Sequence, residues 1–410
     1  MLEFLRERSN RWTILVGLIL CLFPWNERVS SIGILLLALH TLMNRRLKEN
    51  IKQFHWNRMG LWAVLFFVWH AVAMAWTHNT AAALQSMEVK LSLVILPLLF
   101  GLESHWQEER RFQLTLAFCA SLVLAFVYLL VSAQLTAGHL PLSARWQRMY
   151  FSEPLMHPGY LSNYYAAGIW MLSMEKRCWS NAKRRVLSAI TIFLLLACIL
   201  ILIAKIVVLF LLALAGFYFL KGLYALIKKP MVFWAVALPG MALLLFGVSR
   251  LPPVAKRLNE TELQLAVVKP ADINIANSTM SRKVAYSIEA KLLQEAGLWG
   301  FGTGMSNQKV LEQLEAGGYT QLVSAGMHVH NQYFNTGIAL GWVGLALLLL
   351  FLIEGSLLLY RSGPPDMLLF SVLILMNLGI DDMFEIQAGM VFFAFGLFLF
   401  TSRSSKVASA

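Results

Sequence analysis

The sequence predicts an all-α membrane protein: a bundle of about 12 transmembrane helices with one large, partly helical loop outside the membrane. Composition is the first observation, because 58% of the 410 residues are hydrophobic and only 14% are charged. One soluble core could not bury so much apolar surface. The second observation is that apolar runs recur along the chain, although several are shorter than the ~20 residues of a full membrane span. The third is that a single long polar segment, residues 250–329, interrupts them.

Nine apolar segments precede this polar segment, and three follow it. The chain therefore divides into helices 1–9 within residues 1–249, the loop at 250–329, and helices 10–12 within residues 330–410. The segments are centred near residues 13–25, 30–43, 59–76, 89–102, 112–133, 157–174, 186–204, 206–220, 231–249, 331–354, 367–380 and 385–401.

Basic residues are concentrated in alternate connections between these segments. By the positive-inside rule, this pattern puts both termini in the cytoplasm and the 250–329 loop on the other side of the membrane. The formal net charge of +12 thus indicates topology and contact with anionic membrane lipids, and it does not indicate a nucleic-acid partner. The basic residues are Arg6, Arg8, Arg11, Arg45, Arg46, Lys48, Lys52, Arg58, Lys176, Arg177, Lys183, Arg184, Arg185, Lys221, Lys228 and Lys229.

The large loop contains two amphipathic segments. Apolar residues with helical spacing predict a helix over Ser281–Ala296, which Gly297 is placed to end. A second short helix is predicted over Ser306–Ala316. The glycine-rich stretch 297–304 between them lacks the GxGxxG spacing of a dinucleotide loop and predicts a tight turn. The predicted apolar stripe of the first helix consists of Val284, Ala285, Ile288, Leu292 and Ala296.

Several charged residues belong to the same predicted external face. A basic cavity is geometrically possible there, formed by Arg145, Arg148, Lys205, Arg282 and His330. Lys205 is equally compatible with an ordinary interfacial anchor, and Arg282 with a solvated helix end.

Other polar groups adjoin this face. His328 lies two residues before His330, at the start of the tenth segment, where an imidazole can exchange protons beside a lipid-borne substrate. His157 begins the sixth segment, and the proline after it suits the first turn of a helix. The carboxylates of Asp381, Asp382 and Glu385 either end a helix in water, pair with the arginines or hold an acceptor sugar. Their spacing does not match a metal motif, so we expect a metal-independent site.

The tenth segment resembles a known family. The run from His330 to Phe334, with Gly337 and the stretch 341–344, resembles the His-Asn motif that closes the large periplasmic loop of O-antigen ligases and related O-antigen polymerases. Three further stretches match expectations for that family. They are residues 157–162, Ser281-Arg282 followed by residues 299–304, and residues 384–393.

This resemblance implies a membrane glycosyltransferase that needs no cofactor and moves a glycan from undecaprenyl diphosphate to an acceptor hydroxyl. The acceptor is lipid A-core in a ligase and another lipid-linked repeat unit in a polymerase. His330 would be the general base of an inverting displacement, while Arg282 and Lys205 hold the diphosphate. Lys205 stands where the family often has arginine, so Arg145 and Arg148 are expected to share this role.

Supporting roles are expected for Asn331, His328, His157, Tyr160 and Glu385. His328 competes with His330 for the role of base, and the Asn331 that follows His330 favours the latter. The implied location is the bacterial inner membrane, with the site facing the periplasm. Ligase is preferred over polymerase. A flippase or transporter is a weaker alternative, because the sequence shows no internal repeat.

Overall fold

The computed structural model describes residues 8–52, 54, 56–102, 110–138, 151–202, 204–227, 230–250 and 278–401. Within these ranges the regular elements are all helical. The α-helices are α1 (Arg8–Leu22), α2 (Glu27–Leu42), α3 (Leu47–Lys52), α4 (Arg58–Ala73), α5 (Thr80–Lys90), α6 (Ser92–Leu102), α7 (Arg111–Ala137), α8 (Pro158–Met174), α9 (Ala182–Leu202), α10 (Lys205–Leu226), α11 (Pro230–Ser249), α12 (Ser278–Ala296), α13 (Ser306–Ala316), α14 (Thr320–Ser324), α15 (Gln332–Ser362), α16 (Leu368–Leu378) and α17 (Gln387–Thr401).

The helices agree with a membrane protein. Each of the twelve predicted apolar segments overlaps one helix or a pair of consecutive helices. Within the described part of the chain, six helical stretches are long and apolar enough to cross a membrane. They are Arg58–Trp76, Thr80–Leu102, Arg111–Thr136, Ala182–Leu202, Lys205–Leu226 and Gln332–Ser362. Other apolar helices are shorter, so a total of twelve crossings stays a prediction.

Contacts along α16 define two ends of the bundle. Asn163 of α8 donates to Asn377 near the end of α16, whereas Trp170 of α8 donates to the carbonyl oxygen of Asp366, just before α16. The two helices are therefore antiparallel. Lys221, near the end of α10, also pairs with Asp366 at 2.8 Å, so α10 is antiparallel to α16 as well.

We call the end that holds Gly379, after α16, the site end, and the end that holds Asp366 the basic end. The N-termini of α8 and α10 lie at the site end. Basic side chains accumulate at the basic end, where acidic residues pair with several of them: Glu175 lies 3.7 Å from Arg111 and 2.9 Å from Arg177. This distribution follows the predicted alternation of basic connections.

A small helical cap of α12, α13 and α14 covers part of the site end and has its own apolar core. Ser278–Ala296 includes the predicted helix, and Ser306–Ala316 matches its prediction residue for residue. Gly297, with φ of 59°, follows α12 directly. The predicted stripe is confirmed, since four of its members are buried and Ile288 packs against the cap core. Residues 251–277 of the predicted loop lie outside the described ranges.

Helix α15 is broken at Gly341, whose φ of 68° and ψ of −169° are not helical. A left-handed φ of this kind favours glycine. The break opens two helical hydrogen bonds, leaving the carbonyl oxygens of Ile338 and Ala339 and the amides of Trp342 and Val343 without helical partners. Each of these four groups would be costly to leave unpaired in an apolar environment.

The glycine-rich turn 297–304, which we call the glycine loop, pairs with all four groups. Phe301 N donates to Ile338 O at 3.0 Å, and Gly302 N donates to Ala339 O at 2.9 Å. Trp342 N and Val343 N donate in turn to the carbonyl oxygens of Gly297 and Leu298. The predicted turn therefore also completes the backbone hydrogen bonding of a broken helix.

Candidate functional site

The His-Asn pair lies where the cap meets α15. Asn331 is the N-cap of α15, and its side-chain oxygen accepts hydrogen bonds from the amides of Tyr333 and Phe334. Its side-chain nitrogen donates to the carbonyl oxygen of Gly379 at 2.9 Å. Asn331 thus fixes the start of α15 against the end of α16, and it places His330 beside the segment that follows α16.

His330 faces a carboxylate across this junction. Its Nδ1 lies 3.6 Å from Oδ1 of Asp381, which is an ion-pair distance slightly longer than a hydrogen bond, and both side chains are 18% exposed. The ring of His328 is 4.2 Å from that of His330, centre to centre. One ligand atom from each of His328, His330 and Asp381 lies within 4.8 Å of the other two. We call these three residues the His-His-Asp cluster.

The two neighbouring aspartates differ in charge. Burial opposes the ionisation of Asp381, but His330 and Arg282 together hold the pKa of its carboxyl below the ordinary value. Burial, with the charges of Asp381 and Glu385, raises the pKa of Asp382 well above the ordinary value. The carboxyl that faces His330, Asp381, is therefore favoured in its ionised form, whereas burial and its acidic neighbours favour the protonated form of Asp382.

Arg282, near the start of α12, acts on this cluster through its charge. It influences the pKa values of both His328 and Asp381. Arg282, which is predicted to bind the diphosphate, thus lies where its charge acts on the two neighbours of His330, the predicted base. A cationic and an imidazole side chain next to a carboxylate can bind an anion and accept a proton at one location.

The cap contacts the His330 backbone through α12. The hydroxyl of Tyr286 donates to the carbonyl oxygen of His330 at 3.3 Å. Glu289, one turn further along, is fully buried, and neither carboxylate oxygen has a hydrogen-bond partner among the described residues. Burial raises the pKa of Glu289 to about 7, although the nearby His330 amide opposes this shift. Glu289 was not among the predicted site residues, although it lies four residues after Ala285 on the predicted apolar stripe.

A buried polar network supports the site from the bundle side. Lys90, fully buried at the end of α5, lies 2.7 Å from Oε2 of Glu385. Ser86 donates to the same oxygen, and Gln332 donates to the other carboxylate oxygen at 3.2 Å. The side-chain oxygen of Gln332 accepts from the amide of Phe384 at 2.7 Å. Glu385, predicted as a supporting residue, therefore connects α5 to the first residue of α15.

The remaining predicted site residues have different placements. His157 is the exposed N-cap of α8, where its Nδ1 accepts from Gly159 N, and Tyr160 is buried next to it. Lys205 begins α10 with an exposed side chain. Because α8 and α10 both start at the site end, His157 and Lys205 share that end with His330. Arg145 and Arg148 lie outside the described residues.

No protein-family model matches the chain, and no curated protein sequence matches it.

Proposed function

We propose that this protein is a membrane glycosyltransferase of the O-antigen ligase type, which moves a glycan from undecaprenyl diphosphate to a hydroxyl of lipid A-core. The observation that carries the proposal is the grouping of His330, Asp381 and Arg282 at one end of an apolar helix bundle. There the proposed base and its carboxylate partner lie within the electrostatic reach of a cation that would bind the diphosphate of a lipid-linked donor.

In the proposed reaction, the acceptor oxygen attacks the anomeric carbon while the bond from that carbon to the diphosphate oxygen breaks. His330 takes the proton of the acceptor hydroxyl, and undecaprenyl diphosphate leaves with the bonding electron pair. The attack inverts the anomeric centre, and no cofactor or metal takes part. Ionised Asp381 faces Nδ1 of His330, so it orients the imidazole with Nε2 available to the hydroxyl and stabilises the imidazolium that forms.

Arg282 is proposed to stabilise the negative charge that grows on the diphosphate. Lys205, at the N-terminus of a helix at the same end, supplies a second positive charge there. Arg145 and Arg148 are proposed to contribute to the same donor site. Asn331 and Glu385 keep His330 in place through α15, and His328, His157 and Tyr160 form nearby surface for the substrates.

The distribution of charge supports a periplasmic site in the bacterial inner membrane. Basic side chains accumulate at the end opposite to His330, as the positive-inside rule predicts for a cytoplasmic face. With both termini in the cytoplasm, the cap and the His-His-Asp cluster would face the periplasm, where the acceptor and the donor glycan would meet.

Deletion of the gene followed by glycan analysis tests this proposal. For a ligase, the deletion strain should keep long chains on undecaprenyl diphosphate and lose all polymer from lipid A-core. Single repeat units in place of polymer would indicate an O-antigen polymerase instead. Complementation with His330→Ala should fail, whereas His78→Ala, a change at an exposed histidine of the site end, should restore the polymer. Normal surface glycan with His330→Ala would exclude His330 as the base.

A further inference from the structure

The His-His-Asp cluster has the ligand set of a transition-metal site, and its ligand atoms lie close enough together to converge on one ion. Two imidazoles and one carboxylate each offer a ligand atom within 4.8 Å of the other two. Zinc sites with three protein ligands of this type keep a fourth position for water. His328 is exposed and can adjust its rotamer, so the three ligand atoms can move closer around an ion without a change of the backbone.

We propose that Zn²⁺ binds to His328, His330 and Asp381 and thereby inhibits the enzyme. Imidazole nitrogen and carboxylate oxygen are ordinary zinc ligands, and imidazole sites favour zinc over magnesium or calcium. The charge of Arg282 acts on this cluster and opposes a cation. The ion is therefore held more weakly and more reversibly than in a closed four-ligand site.

The inhibitory effect follows from the chemistry of the imidazole ring. A neutral imidazole that binds a metal through one nitrogen carries its remaining proton on the other nitrogen. His330 bound to zinc could then no longer accept a proton from the acceptor hydroxyl. Zinc would also replace the contact between His330 and Asp381. This consequence rests on the proposed function, whereas metal binding itself does not.

Metal binding can be measured without any glycan substrate. The full-length protein, purified in detergent and treated with chelator, would be titrated with Co²⁺ as a spectroscopic probe and with Zn²⁺ in competition with a chromophoric chelator. We expect one site per chain, and at least about tenfold weaker binding in His328→Ala and in Asp381→Asn. The control His78→Ala should bind as the wild type does. Equal zinc affinity in wild type and His328→Ala would overturn the proposed site.

Inhibition is tested in a transfer assay with the same proteins. Zinc should stop transfer by the wild type at a concentration close to its measured Kd, and chelator should restore it. The zinc concentration for half-inhibition, relative to each variant's own zinc-free rate, should rise at least about tenfold in His328→Ala. If chelator abolishes transfer and zinc restores it, zinc is a cofactor and inhibition is excluded. Site-specific zinc binding with no transfer under any condition would disprove the proposed function and leave the metal site intact.

Discussion

Lys90 and Glu385, 295 residues apart in the sequence, form an ion pair of 2.7 Å inside the bundle, and the Lys90 side chain is completely buried. Removing the cation would leave the Glu385 carboxylate, which is 18% exposed, with only the neutral donors Ser86 and Gln332. The loss of one member of a buried ion pair is far more destabilising than the loss of an exposed pair. This pair therefore supports the start of α15, which carries the His-Asn motif.

Replacing this lysine should destabilise the protein. We expect Lys90→Met to lower the free energy of unfolding by about 2 to 4 kcal/mol, because Glu385 would lose its buried partner. The apparent Tm of the purified protein in detergent measures the effect. A matched control is Lys309→Met, which removes an ion pair of the same 2.7 Å length between a half-buried lysine and an exposed glutamate and should lower the free energy of unfolding by at most about 1 kcal/mol. Equal Tm values for the two variants would contradict this expectation.

Asp381 and Asp382 should respond differently to the same substitution. Asp381→Asn removes the negative charge that faces His330, so we expect kcat for glycan transfer to fall roughly 10- to 100-fold. Burial and the neighbouring carboxylates favour the protonated form of Asp382, so Asp382→Asn removes less negative charge than Asp381→Asn does, and we expect kcat to change by no more than about twofold. Purified variants assayed with lipid-linked donor give both values. A larger loss with Asp382→Asn than with Asp381→Asn would refute the assigned charges.

Glu289 should make stability depend on pH. Its pKa is raised from 4.5 to about 7, so the folded protein keeps a proton that the unfolded chain releases. The pH-dependent part of the free energy of unfolding that comes from Glu289 is fully present below pH 4.5, declines as the pH rises, and is lost above pH 7. Glu289→Gln removes this dependence on pH. We therefore expect the free energy of unfolding of the variant to exceed that of the wild type by about 1 to 3 kcal/mol at pH 8 and by little at pH 5.

Apparent Tm values at the two pH values test this expectation. Glu315→Gln, a change at an exposed glutamate of the same cap, is the control and should behave as the wild type does. A Glu289→Gln advantage that is the same at pH 5 and pH 8 would mean that packing, rather than ionisation, is responsible.

Substitutions at glycines of the cap test whether the glycine loop stabilises the break in α15. Gly300 and Gly318 have nearly the same φ, 75° and 76°, but a Cβ at Gly300 would overlap the backbone of Ala339, and a Cβ at Gly318 would meet nothing. We expect Gly318→Ala to lower the free energy of unfolding by about 1 kcal/mol, because alanine disfavours the left-handed backbone conformation at this position. Gly300→Ala adds a steric clash and should cost about 2 to 4 kcal/mol.

Hydrogen exchange of individual backbone amides shows which part of the structure is destabilised in each of these two variants. In Gly300→Ala the amides of Trp342 and Val343 should exchange faster, because their acceptors in the glycine loop move away. In Gly318→Ala they should keep the wild-type rates. If these amides keep wild-type protection from exchange in both variants, the glycine loop does not stabilise the break at Gly341.

Local features of the fold could be predicted from the sequence. The bounds of α13 and the end of α12 followed from apolar spacing and glycine positions, because helix caps depend on neighbouring residues. His330 and Asn331 were found through a short motif. Asp381 was expected to face water, to pair with an arginine or to hold an acceptor sugar, and its pairing with His330 needed the structure.

Long-range partners could not be predicted in the same way. Lys90 lies at the edge of an apolar segment, where a lysine usually extends towards water, and its partner Glu385 is in the loop before the last helix. The position of Glu289 in the sequence does indicate an unusual group, because an acidic residue on an apolar stripe is costly to bury. The break at Gly341 lies within a run that is apolar throughout, and periodicity alone does not reveal an interruption there.

The break at Gly341 has a consequence for biogenesis. The four backbone groups that it exposes are paired only after residues 297–304 have reached their positions, and a bilayer offers no water in their place. The ribosome makes those residues first, so the cap can fold before α15 settles in the membrane. Docking of residues 297–304 and completion of the backbone hydrogen bonding of α15 are thus coupled steps of one assembly process.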